Sequence, residues 1–348
     1  MKRIIIIILL LTLLIPVDSF SCSAFTYTKD GQIILAANSD WCKRVDGLIT
    51  VNKRSILKRG DTPSNSGVYA TWISRYGSIT FTYICREIAQ YGMNETGLTI
   101  STMRLSGSKS PEPDNRPPLS GNVWAQYILD NCSSIEEVLN VESKIRLNND
   151  QDQYLICDNN GKSLVVQCKD GEVLYFYDKS LPVPVLTNEE YPICLSNYNK
   201  HKVPLEDPDN SNKRFQIGSN TFEKTSGLKD NQILDYSFDL LDKMAQHPCT
   251  QWSIVFDIKN RTVYYKTKYS QDIKNFKLSD FDFSCNTKKL ALNVNNEYSE
   301  DVGQYFTEYS REHRLNVMRK GFNCFDISRT DEQLNMIIRF IDSFQCEN

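Results

Sequence analysis

The sequence predicts an α+β fold with antiparallel sheets, organised as a single domain. Residues 153–158, 163–168 and 172–177 are strand-like and are separated only by Asn159-Asn160-Gly161 and Lys169-Asp170-Gly171. Such short, turn-rich connections are typical of an antiparallel meander. Along the chain, strands are followed by helices and then by strands again, which favours an α+β arrangement. No stretch long and flexible enough to act as a linker divides the chain.

The first hairpin is predicted to begin just after Cys22. Residues 23–28 alternate small and aromatic side chains, Lys29-Asp30-Gly31 has the composition of a turn, and residues 32–37 are again strand-like. Further strands are predicted over residues 77–85, 98–103, 183–186, 252–258 and 262–266.

Helices are predicted where apolar residues recur at helical spacing. One of them opens at the Ser133-Ser134 pair, which forms a capping box in either of two registers with the glutamates that follow. The polar stretch 202–213 contains two prolines and is predicted to be a loop. The other predicted helices cover residues 122–131, 231–246, 301–313 and 331–344.

Composition limits the classes of function. The chain has 348 residues, of which 40% are hydrophobic and 24% charged, and these values predict a folded globular protein. The formal net charge is -3 and the two signs are interleaved, so no basic block marks a nucleic-acid interface. We therefore expect no nucleic acid among the partners.

Residues 1–21 have the pattern of a signal peptide. A positively charged start is followed by the almost continuously apolar residues 4–16. Ser19 and Ser21 are small residues at the third and first positions before a cut that would precede Cys22. We therefore expect signal peptidase to remove this leader.

Cleavage before Cys22 leaves residues 22–348 as the predicted mature domain. The protein is then exported, either periplasmic or secreted, and no later stretch is apolar enough to span a membrane. Two alternatives stay open: an uncleaved anchor, and a lipoprotein in which Cys22 carries lipid. Lipoprotein signals usually have Leu where this chain has Ser19, so lipidation is the less favoured outcome.

The chain has eleven cysteines, and export makes disulfides chemically accessible. An odd number leaves at least one thiol unpaired; if that thiol is Cys22, the other ten form up to five bridges. The cysteines lack metal-ligand spacing, and His201, His247 and His313 are isolated, so we expect neither a metal nor another cofactor. The residue counts also permit a Cys–His pair of the papain type, but no local signature supports one.

Cys22 has a nucleophilic side chain and is the first residue after the predicted leader. As the first residue of the mature chain it would carry a free α-amine, whose usual pKa near 7.7–8.0 leaves a useful unprotonated fraction at neutral pH. That amine can take the thiol proton directly or through one water, which activates the thiol without a histidine. The alternative roles for Cys22 are a lipid anchor and a disulfide partner.

Six segments in order along the chain carry a resemblance to known proteins. They are Cys22-Ser23-Ala24-Phe25 with Lys29-Asp30-Gly31 and Ala37-Asn38-Ser39-Asp40-Trp41, then Gly92-Met93-Asn94-Glu95-Thr96-Gly97-Leu98, Leu155-Ile156-Cys157-Asp158 through Gly161, Val185-Leu186-Thr187-Asn188, Arg214-Phe215, and Trp252-Ser253-Ile254-Val255-Phe256-Asp257. In this order they resemble the choloylglycine hydrolase and penicillin V acylase family, the linear amide C–N hydrolases. The resemblance covers nearly the whole chain after residue 21.

This resemblance implies a fold and a set of roles. The family consists of N-terminal-nucleophile (Ntn) hydrolases with an αββα sandwich, so we expect that architecture. By position, Cys22 would attack the amide carbonyl, and Asp40 would hold and orient the α-amine. Asn188 would donate a side-chain N–H to the oxyanion, with the backbone N–H of Arg104 as the second donor. Arg214 would lie near the thiol and stabilise its charged form.

One position departs from the family pattern. The family usually has Arg immediately before the Asn-x-Asp stretch, and this chain has Ala37 there. The loss removes a fixed positive charge near the thiol, which puts bile-salt specificity in doubt and leaves open a weakly active protein. Arg104 is a candidate replacement cation.

The resemblance implies hydrolysis of a non-peptide C–N bond in a linear amide, so a small acyl-amide molecule is the expected substrate. Two alternatives stay open. The first is acyl transfer to an amine, as in the related acyltransferases. The second is a catalytically weak or inactive exported protein, lipidated or not, that binds acyl amides. A homo-oligomer is compatible with the sequence, which does not specify one.

Overall fold

A computed structural model describes residues 21–149, 151–203, 207, 210–222 and 232–347 of the chain. The predicted signal peptide therefore lies outside the described residues, except for Ser21, which is buried. Within the described part of the chain, no helix is both long enough and apolar enough to cross a membrane.

The described residues form twenty strands, several of them joined by the tight turns that the sequence predicts. The strands are β1 (Ser23–Lys29), β2 (Gln32–Asp40), β3 (Leu48–Asn52), β4 (Ile56–Pro63), β5 (Tyr69–Ile73), β6 (Ser78–Thr82), β7 (Tyr91–Asn94), β8 (Thr99–Arg104), β9 (Pro118–Ser120), β10 (Arg146–Asn148), β11 (Asp152–Cys157), β12 (Ser163–Lys169), β13 (Glu172–Tyr177), β14 (Val185–Leu186), β15 (Thr250–Asp257), β16 (Thr262–Thr267), β17 (Ser270–Lys277), β18 (Leu290–Asn293), β19 (Thr307–Glu308) and β20 (Gln345–Cys346).

Seven α-helices lie in the described residues, between the strands and at the C-terminal end. They are α1 (Gly121–Asn131), α2 (Ile135–Leu139), α3 (Tyr191–Asn199), α4 (Ser211–Phe222), α5 (Ile233–Met244), α6 (Arg311–Cys324) and α7 (Asp331–Asp342). Ser134 caps α2 by accepting from the backbone N–H of Glu137, which selects one of the two registers that the sequence allowed.

Two large antiparallel sheets dominate the described structure. The six-stranded sheet has the order β14-β1-β2-β15-β16-β17. The nine-stranded sheet has the order β13-β12-β11-β8-β7-β6-β3-β18-β19. Two small sheets, β20-β4-β5 and the parallel pair β10-β9, lie beside them.

The two large sheets pack face to face through an aromatic core. Phe81 of the nine-stranded sheet lies with its ring centroid 6.2 Å from those of both Trp252 and Phe256 on β15. All three side chains are buried. Close packing of such large rings fixes the spacing between the sheets and so determines which residues can meet across it.

Helices cover the outer face of each large sheet. On the nine-stranded sheet, Trp124 of α1 packs against Tyr154 of β11 with ring centroids 4.7 Å apart. On the six-stranded sheet, Asn38 of β2 donates its side-chain N–H to the carbonyl of Leu241 in α5 at 2.7 Å. The layers therefore run helix, sheet, sheet, helix, which is the predicted αββα sandwich.

The Gly92–Leu98 motif has a structural role in this fold. Asn94 donates from its side chain to the carbonyls of Leu129 and Cys132, both at 2.8 Å, and thereby ties the end of β7 to the end of α1. Its side-chain oxygen accepts from the backbone N–H groups of Thr96 and Leu98 inside the turn. The motif thus connects a strand, a turn and a helix.

Two disulfides form, Cys42–Cys249 and Cys285–Cys346. The sequence allowed up to five. The remaining seven cysteines form no disulfide and are buried, and Cys22 is one of them. Cys42–Cys249 joins the segment after β2 to the start of β15, close to the predicted nucleophile.

Two predicted elements need correction. Residues 301–313 do not form one helix: Gly303–Tyr305 is a single 3-10 turn, β19 follows it, and α6 begins only at Arg311, where Ser310 accepts from the backbone N–H of His313. The predicted loop 202–213 ends earlier than expected, because α4 begins at Ser211; residues 204–206, 208 and 209 of that loop lie outside the described residues.

Several elements were not predicted. The helix α3 was missed because its apolar residues form no continuous stripe, and Ile193 is exposed on it. The hairpin of β4 and β5 was missed as well. Its outward positions are polar or partly exposed, and its pairing is interrupted between Arg59 and Pro63.

Candidate active site

The hairpin of β1 and β2 carries the predicted nucleophile and the predicted amine holder. Its outermost pair joins Ser23 to Asn38, so Cys22 stands one residue before that pair and Asp40 stands two residues after it on the neighbouring strand. Cys22 is only 7% exposed and Asp40 is buried. Both line a cavity of about 520 Å³, here called the nucleophile cavity.

The nucleophile cavity is built from several parts of the chain. They are the β1–β2 hairpin, the segment after β6, the strands β7 and β8, the starts of α1 and β11, and the segment after α6. The residues that line it include Cys22, Asp40, Trp41, Tyr83, Tyr91, Met103, Arg104, Asp152, Phe325 and Ile327.

Arg214 organises the backbone at the nucleophile. From the first turn of α4 its guanidinium donates to the carbonyl oxygen of Cys22, and to Oγ of Ser23 at 2.7 Å. The other nitrogen donates to Oδ1 of Asn188 at 3.1 Å and to Oγ of Ser211 at 3.2 Å. The planar fork of the guanidinium holds four groups at fixed positions, so Arg214 joins the nucleophile to the predicted oxyanion donor.

Asn188 lies just after β14, and both the nitrogen and the oxygen of its side-chain amide form hydrogen bonds. Its Nδ2 donates to the backbone carbonyl of Arg104 at 2.8 Å, while its oxygen accepts from Arg214. The neighbouring Thr187 carbonyl accepts from Nε2 of Gln153 at 2.6 Å, and Gln167 donates in turn to Gln153. The structure thus brings Asn188 and Arg104 together beside Cys22. The assigned roles of these residues, including the Arg104 N–H as an oxyanion donor, remain predictions.

The two glutamines were not identified from the sequence. Gln153 and Gln167 occupy neighbouring strands, and both are buried. A polar side chain in a strand that is otherwise buried on both faces is the signal that could have found them, because such a group must be paired with another polar group.

Tyr91 was also not identified, although its hydroxyl donates to the sulfur of the predicted nucleophile. It lies 3.7 Å from the sulfur of Cys22 and is buried. On the same side, the hydroxyls of Ser39 and Tyr83 share a hydrogen bond. A hydroxyl at this distance donates to a thiolate more strongly than to a thiol, so it favours the ionised nucleophile.

In the uncleaved chain the Cys22 thiol is strongly disfavoured as a thiolate. Burial raises the pKa of Cys22 to about 11, and the negative charge of Asp40 acts in the same direction. The backbone N–H of Asp40, the Tyr91 hydroxyl and the Arg214 charge oppose this shift without overcoming it. At neutral pH the thiol of a chain that still carries residue 21 is therefore protonated.

The carboxylate of Asp40 is buried. Among the described residues neither of its oxygens accepts a hydrogen bond of normal geometry, although the Thr250 hydroxyl and the Gln246 backbone N–H lie near enough to it to lower its pKa. Burial raises the pKa of Asp40 to about 6, and the charge of Arg214, with smaller contributions from Thr250 and Gln246, opposes the rise. The Gln246 N–H donates to the Thr250 hydroxyl at 3.1 Å.

Ala37 occupies the position where the family pattern has Arg. It is fully buried between Ala24 on β1 and Ile254 on β15. Arg104, the candidate replacement cation, lines the nucleophile cavity, where its charge lowers the pKa of Asp152 against the larger effect of burial, which raises that pKa to about 6.

Comparison with solved structures identifies the same architecture elsewhere. A penicillin V acylase from Agrobacterium tumefaciens matches with a TM-score of 0.68 at 21% identity, over 83% of this chain and 98% of that one. A variant of conjugated bile acid hydrolase from Clostridium perfringens matches with a TM-score of 0.63 at 16% identity, over 80% of this chain and 98% of that one. Both likenesses establish the fold.

Sequence comparison identifies the family. A penicillin V acylase from Pectobacterium atrosepticum is 24% identical over an alignment of 349 positions. The alignment, gaps included, covers 83% of this chain and 90% of that protein. The model of the linear amide C-N hydrolases, choloylglycine hydrolase family, matches residues 22–224, which is more than half of the chain and begins at Cys22. The chain therefore belongs to the choloylglycine hydrolase family of linear amide C-N hydrolases.

Proposed function

We propose that the protein is exported and acts as a cysteine amidohydrolase, with Cys22 as its N-terminal nucleophile. Membership of an amide hydrolase family supports the reaction class, and the likeness to proteins named penicillin V acylase supports an acyl amide as substrate. The observation that carries the mechanism is the buried carboxylate of Asp40, which accepts no hydrogen bond of normal geometry among the described residues and lies beside Cys22.

A buried carboxylate that accepts no hydrogen bond of normal geometry is costly, because the charge has lost its water without full compensation. Cleavage of the bond between Ser21 and Cys22 would create an α-amine on the strand next to Asp40. Once protonated, that amine is a cation of the kind that the carboxylate lacks. The same cleavage would therefore satisfy Asp40 and supply Cys22 with its base.

The reaction would proceed through an acyl-enzyme. The α-amine takes the thiol proton, and Asp40 stabilises the resulting ammonium. The thiolate attacks the amide carbonyl carbon, and the oxyanion accepts hydrogen bonds from Asn188 and the backbone N–H of Arg104. As the C–N bond breaks, the ammonium returns its proton to the departing amine. A water, deprotonated by the same α-amine, then hydrolyses the thioester and releases the acid.

Latency before cleavage follows from the same arrangement. In the uncut chain the nitrogen of Cys22 is a peptide nitrogen, which is not a base, and burial keeps the thiol pKa near 11. The enzyme would thus be inactive until the leader is removed during export.

The proposal is tested by combining the mass of the exported protein with its activity. We expect an intact mass that corresponds to a start at Cys22 with a free amine. We also expect turnover in a panel of linear amides that includes penicillin V, conjugated bile salts and N-acyl amino acids. Cys22→Ala should abolish turnover, whereas Cys168→Ala, which removes another buried cysteine that forms no disulfide, should leave it intact.

Other outcomes would identify the alternatives. A diacylated Cys22 would point to a lipoprotein without a free base. Faster product formation with an added amine than with water would indicate an acyltransferase. Unchanged turnover in Cys22→Ala would overturn the proposed nucleophile.

A further inference from the structure

The Cys42–Cys249 disulfide lies at the end of the strand pair that carries Asp40. Asp40 is the last residue of β2, and it pairs with Thr250 at the start of β15. Cys42 follows Asp40 by two residues, and Cys249 comes immediately before Thr250. The covalent bond therefore joins β2 to β15 just beyond the pair of residues that includes the predicted amine holder.

The pairing of β2 with β15 is irregular at this end. Its register shifts between Thr250 and Trp252, so Gln251 is an extra residue on β15. A bulge of this kind interrupts the ladder of backbone hydrogen bonds and bends the strand. Beyond it, the backbone N–H of Trp41 donates to the carbonyl of Cys249 at 2.8 Å, and Nε2 of Gln251 donates to the carbonyl of Trp41 at 2.6 Å. The disulfide thus strengthens a strand end at which the regular ladder has stopped.

The turn that contains Cys249 also faces the carboxylate of Asp40. The backbone N–H of Cys249 donates to the carbonyl of Gln246 at 2.5 Å, and the backbone N–H of Gln246 donates to the Thr250 hydroxyl at 3.1 Å. Burial raises the pKa of Asp40, and the Thr250 hydroxyl and the Gln246 N–H oppose that rise together with the larger effect of Arg214. The disulfide therefore fastens to β2 the same turn that surrounds the carboxylate.

The disulfide is more accessible than the nucleophile. Cys42 is exposed and Cys249 is partly exposed, whereas Cys22 is only 7% exposed. Reduction of a disulfide requires access to one of its sulfurs. A reductant in the solvent can therefore reach this bond.

The second disulfide provides a comparison. Cys285–Cys346 fixes β20, which pairs with β4, and it lies outside the set of described residues that line the nucleophile cavity. Loss of that bond should therefore leave the surroundings of Asp40 unchanged.

We propose that the Cys42–Cys249 disulfide positions Asp40 for turnover, so that the enzyme is fully active only while this bond is intact. The proposal rests on the proposed function, because Asp40 acts on turnover through the α-amine of Cys22. Without the bond, the end of β2 and the 246–250 turn can separate, and the carboxylate then no longer holds the ammonium in place. Cys42 and Cys249 are positioning residues in this scheme, since neither contacts the reacting atoms.

A water-soluble phosphine breaks the bond with a balanced reaction. Phosphorus attacks one sulfur and displaces the other as a thiolate, which takes a proton. Water then hydrolyses the thiophosphonium, so the products are two thiols and one phosphine oxide. Cys22 is already a thiol and is unchanged by this treatment. An oxidising compartment, which the proposed export provides, keeps the disulfide formed.

Steady-state kinetics of the mature enzyme before and after phosphine treatment tests the proposal. Reduction should lower kcat by about 10- to 100-fold, the effect of misplacing a catalytic group by about 1 Å. KM should change much less, and reoxidation should restore kcat. An enzyme that acts through Cys22 with the same kcat in both forms would overturn the positioning role and leave the proposed function standing.

Paired variants assign the effect to one of the two disulfides. Cys42→Ala/Cys249→Ala should show the loss without any reductant. Cys285→Ala/Cys346→Ala is the matched control and should keep kcat per folded molecule, normalised by titration of the Cys22 thiol. If Cys42→Ala/Cys249→Ala fails to fold, phosphine is added to the folded control variant, in which Cys42–Cys249 is the remaining disulfide. Equal losses of kcat in the two double variants would overturn the proposal.

Asp40→Asn separates positioning from a general structural role. If the disulfide acts through Asp40, breaking the bond in Asp40→Asn should lower kcat by no more than about a further 2-fold, because the two changes remove the same interaction. A further loss as large as that seen with Asp40 present would mean that the bond supports something other than Asp40, and the proposal would fail.

Alkylation of Cys22 distinguishes failure of this proposal from failure of the proposed function. The rate of reaction with iodoacetamide at pH 7 is followed by mass spectrometry of the peptide that contains Cys22, which requires no turnover. Breaking the disulfide should slow alkylation about 3-fold or more, because less of the thiol is then ionised. This result would support the positioning role even if no amide were hydrolysed, whereas an unchanged rate in such a protein would overturn it.

Discussion

Two buried aspartates differ in how their carboxylates are satisfied. Asp130, near the end of α1, accepts from Nε1 of Trp72 at 2.8 Å and from Nε2 of Gln126 at 2.9 Å, and pairs with Nζ of Lys58 at 2.9 Å. Asp40 is equally buried, yet within the described residues neither of its oxygens accepts a hydrogen bond of normal geometry. A buried polar group is nearly always hydrogen-bonded, and under the proposed function the α-amine created by cleavage is the donor that Asp40 lacks.

The comparison separates a structural carboxylate, Asp130, from the carboxylate of Asp40, to which the proposed function gives a chemical role. The Asp130 group is closed, because its acceptors are filled and the carboxylates raise the pKa of Lys58, which keeps the ion pair charged. The Asp40 carboxylate lines the nucleophile cavity together with Cys22, where the proposed function places the new amino group. Substitution at the first site should affect stability, and substitution at the second should affect turnover.

The largest effect is expected from Asp40→Asn in the mature enzyme. The amide keeps the size of the side chain but cannot stabilise the ammonium that forms when the α-amine takes the thiol proton. We expect kcat to fall by roughly 10²–10⁴, the range typical of general acid–base catalysis, while KM changes less. Steady-state kinetics on the best amide substrate measures both constants.

The control for this prediction is Asp130→Asn. Its kcat per folded molecule, normalised by titration of the Cys22 thiol, should stay close to that of the wild-type enzyme. An Asp40→Asn enzyme with unchanged kcat would contradict the proposed role of Asp40 in turnover.

The next effect is on stability. Asp130→Asn leaves the buried ammonium of Lys58 with Glu87 alone, and breaking a buried ion pair on one side costs about 3–5 kcal/mol. Urea denaturation followed by tryptophan fluorescence measures the change in the free energy of unfolding. Asp114→Asn is the matched control: it breaks an exposed pair with Arg116 and should cost no more than about 1 kcal/mol. Equal losses in the two variants would contradict the assigned structural role.

Local sequence pattern explains why the positions of Cys22 and Asp40 in the candidate site were predictable. Alternating small and aromatic residues around a Lys-Asp-Gly turn define the β1–β2 hairpin, and its register then carries Cys22 to the strand end next to Asp40. The family motifs supplied Asn188 and Arg214 as candidates. The sequence could not show that the Arg214 guanidinium donates a hydrogen bond to the carbonyl of Cys22. Those residues are far apart in the chain and meet only when α4 packs on β1.

The rest of the candidate site depends on packing between elements that are distant in the chain. Tyr91 meets Cys22 only because the nine-stranded sheet lies against the six-stranded one, and Tyr91 carries no motif of its own beyond its strand. The C-terminal region was predicted less well for a similar reason. Residues 301–310 form only a single turn and a short strand, and the start of α6 is fixed by the Ser310 cap rather than by an apolar stripe.

The smallest expected effect, and the sharpest test of the role proposed for Asp40, is the pH dependence of stability before cleavage. In a chain that retains Ser21, the pKa of Asp40 is about 6 in the folded state against an ordinary value of 3.8. Between these values the folded state binds more protons than the unfolded state, so the free energy of unfolding falls as pH rises. The contribution of Asp40 is full below pH 3.8 and is lost as pH passes 6, a total of about 3 kcal/mol.

The measurement subtracts the urea-unfolding profile of Asp40→Asn from that of the parent chain, both with Ser21 retained, from pH 3.5 to 8. We expect the difference to fall across the pH 4–6 window. In chains that begin at Cys22 the new ammonium pairs with the carboxylate and lowers the pKa of Asp40, so the same subtraction should flatten or reverse in sign. Identical difference profiles before and after cleavage would mean that the α-amine does not reach Asp40, and the mechanism built on that contact would fail.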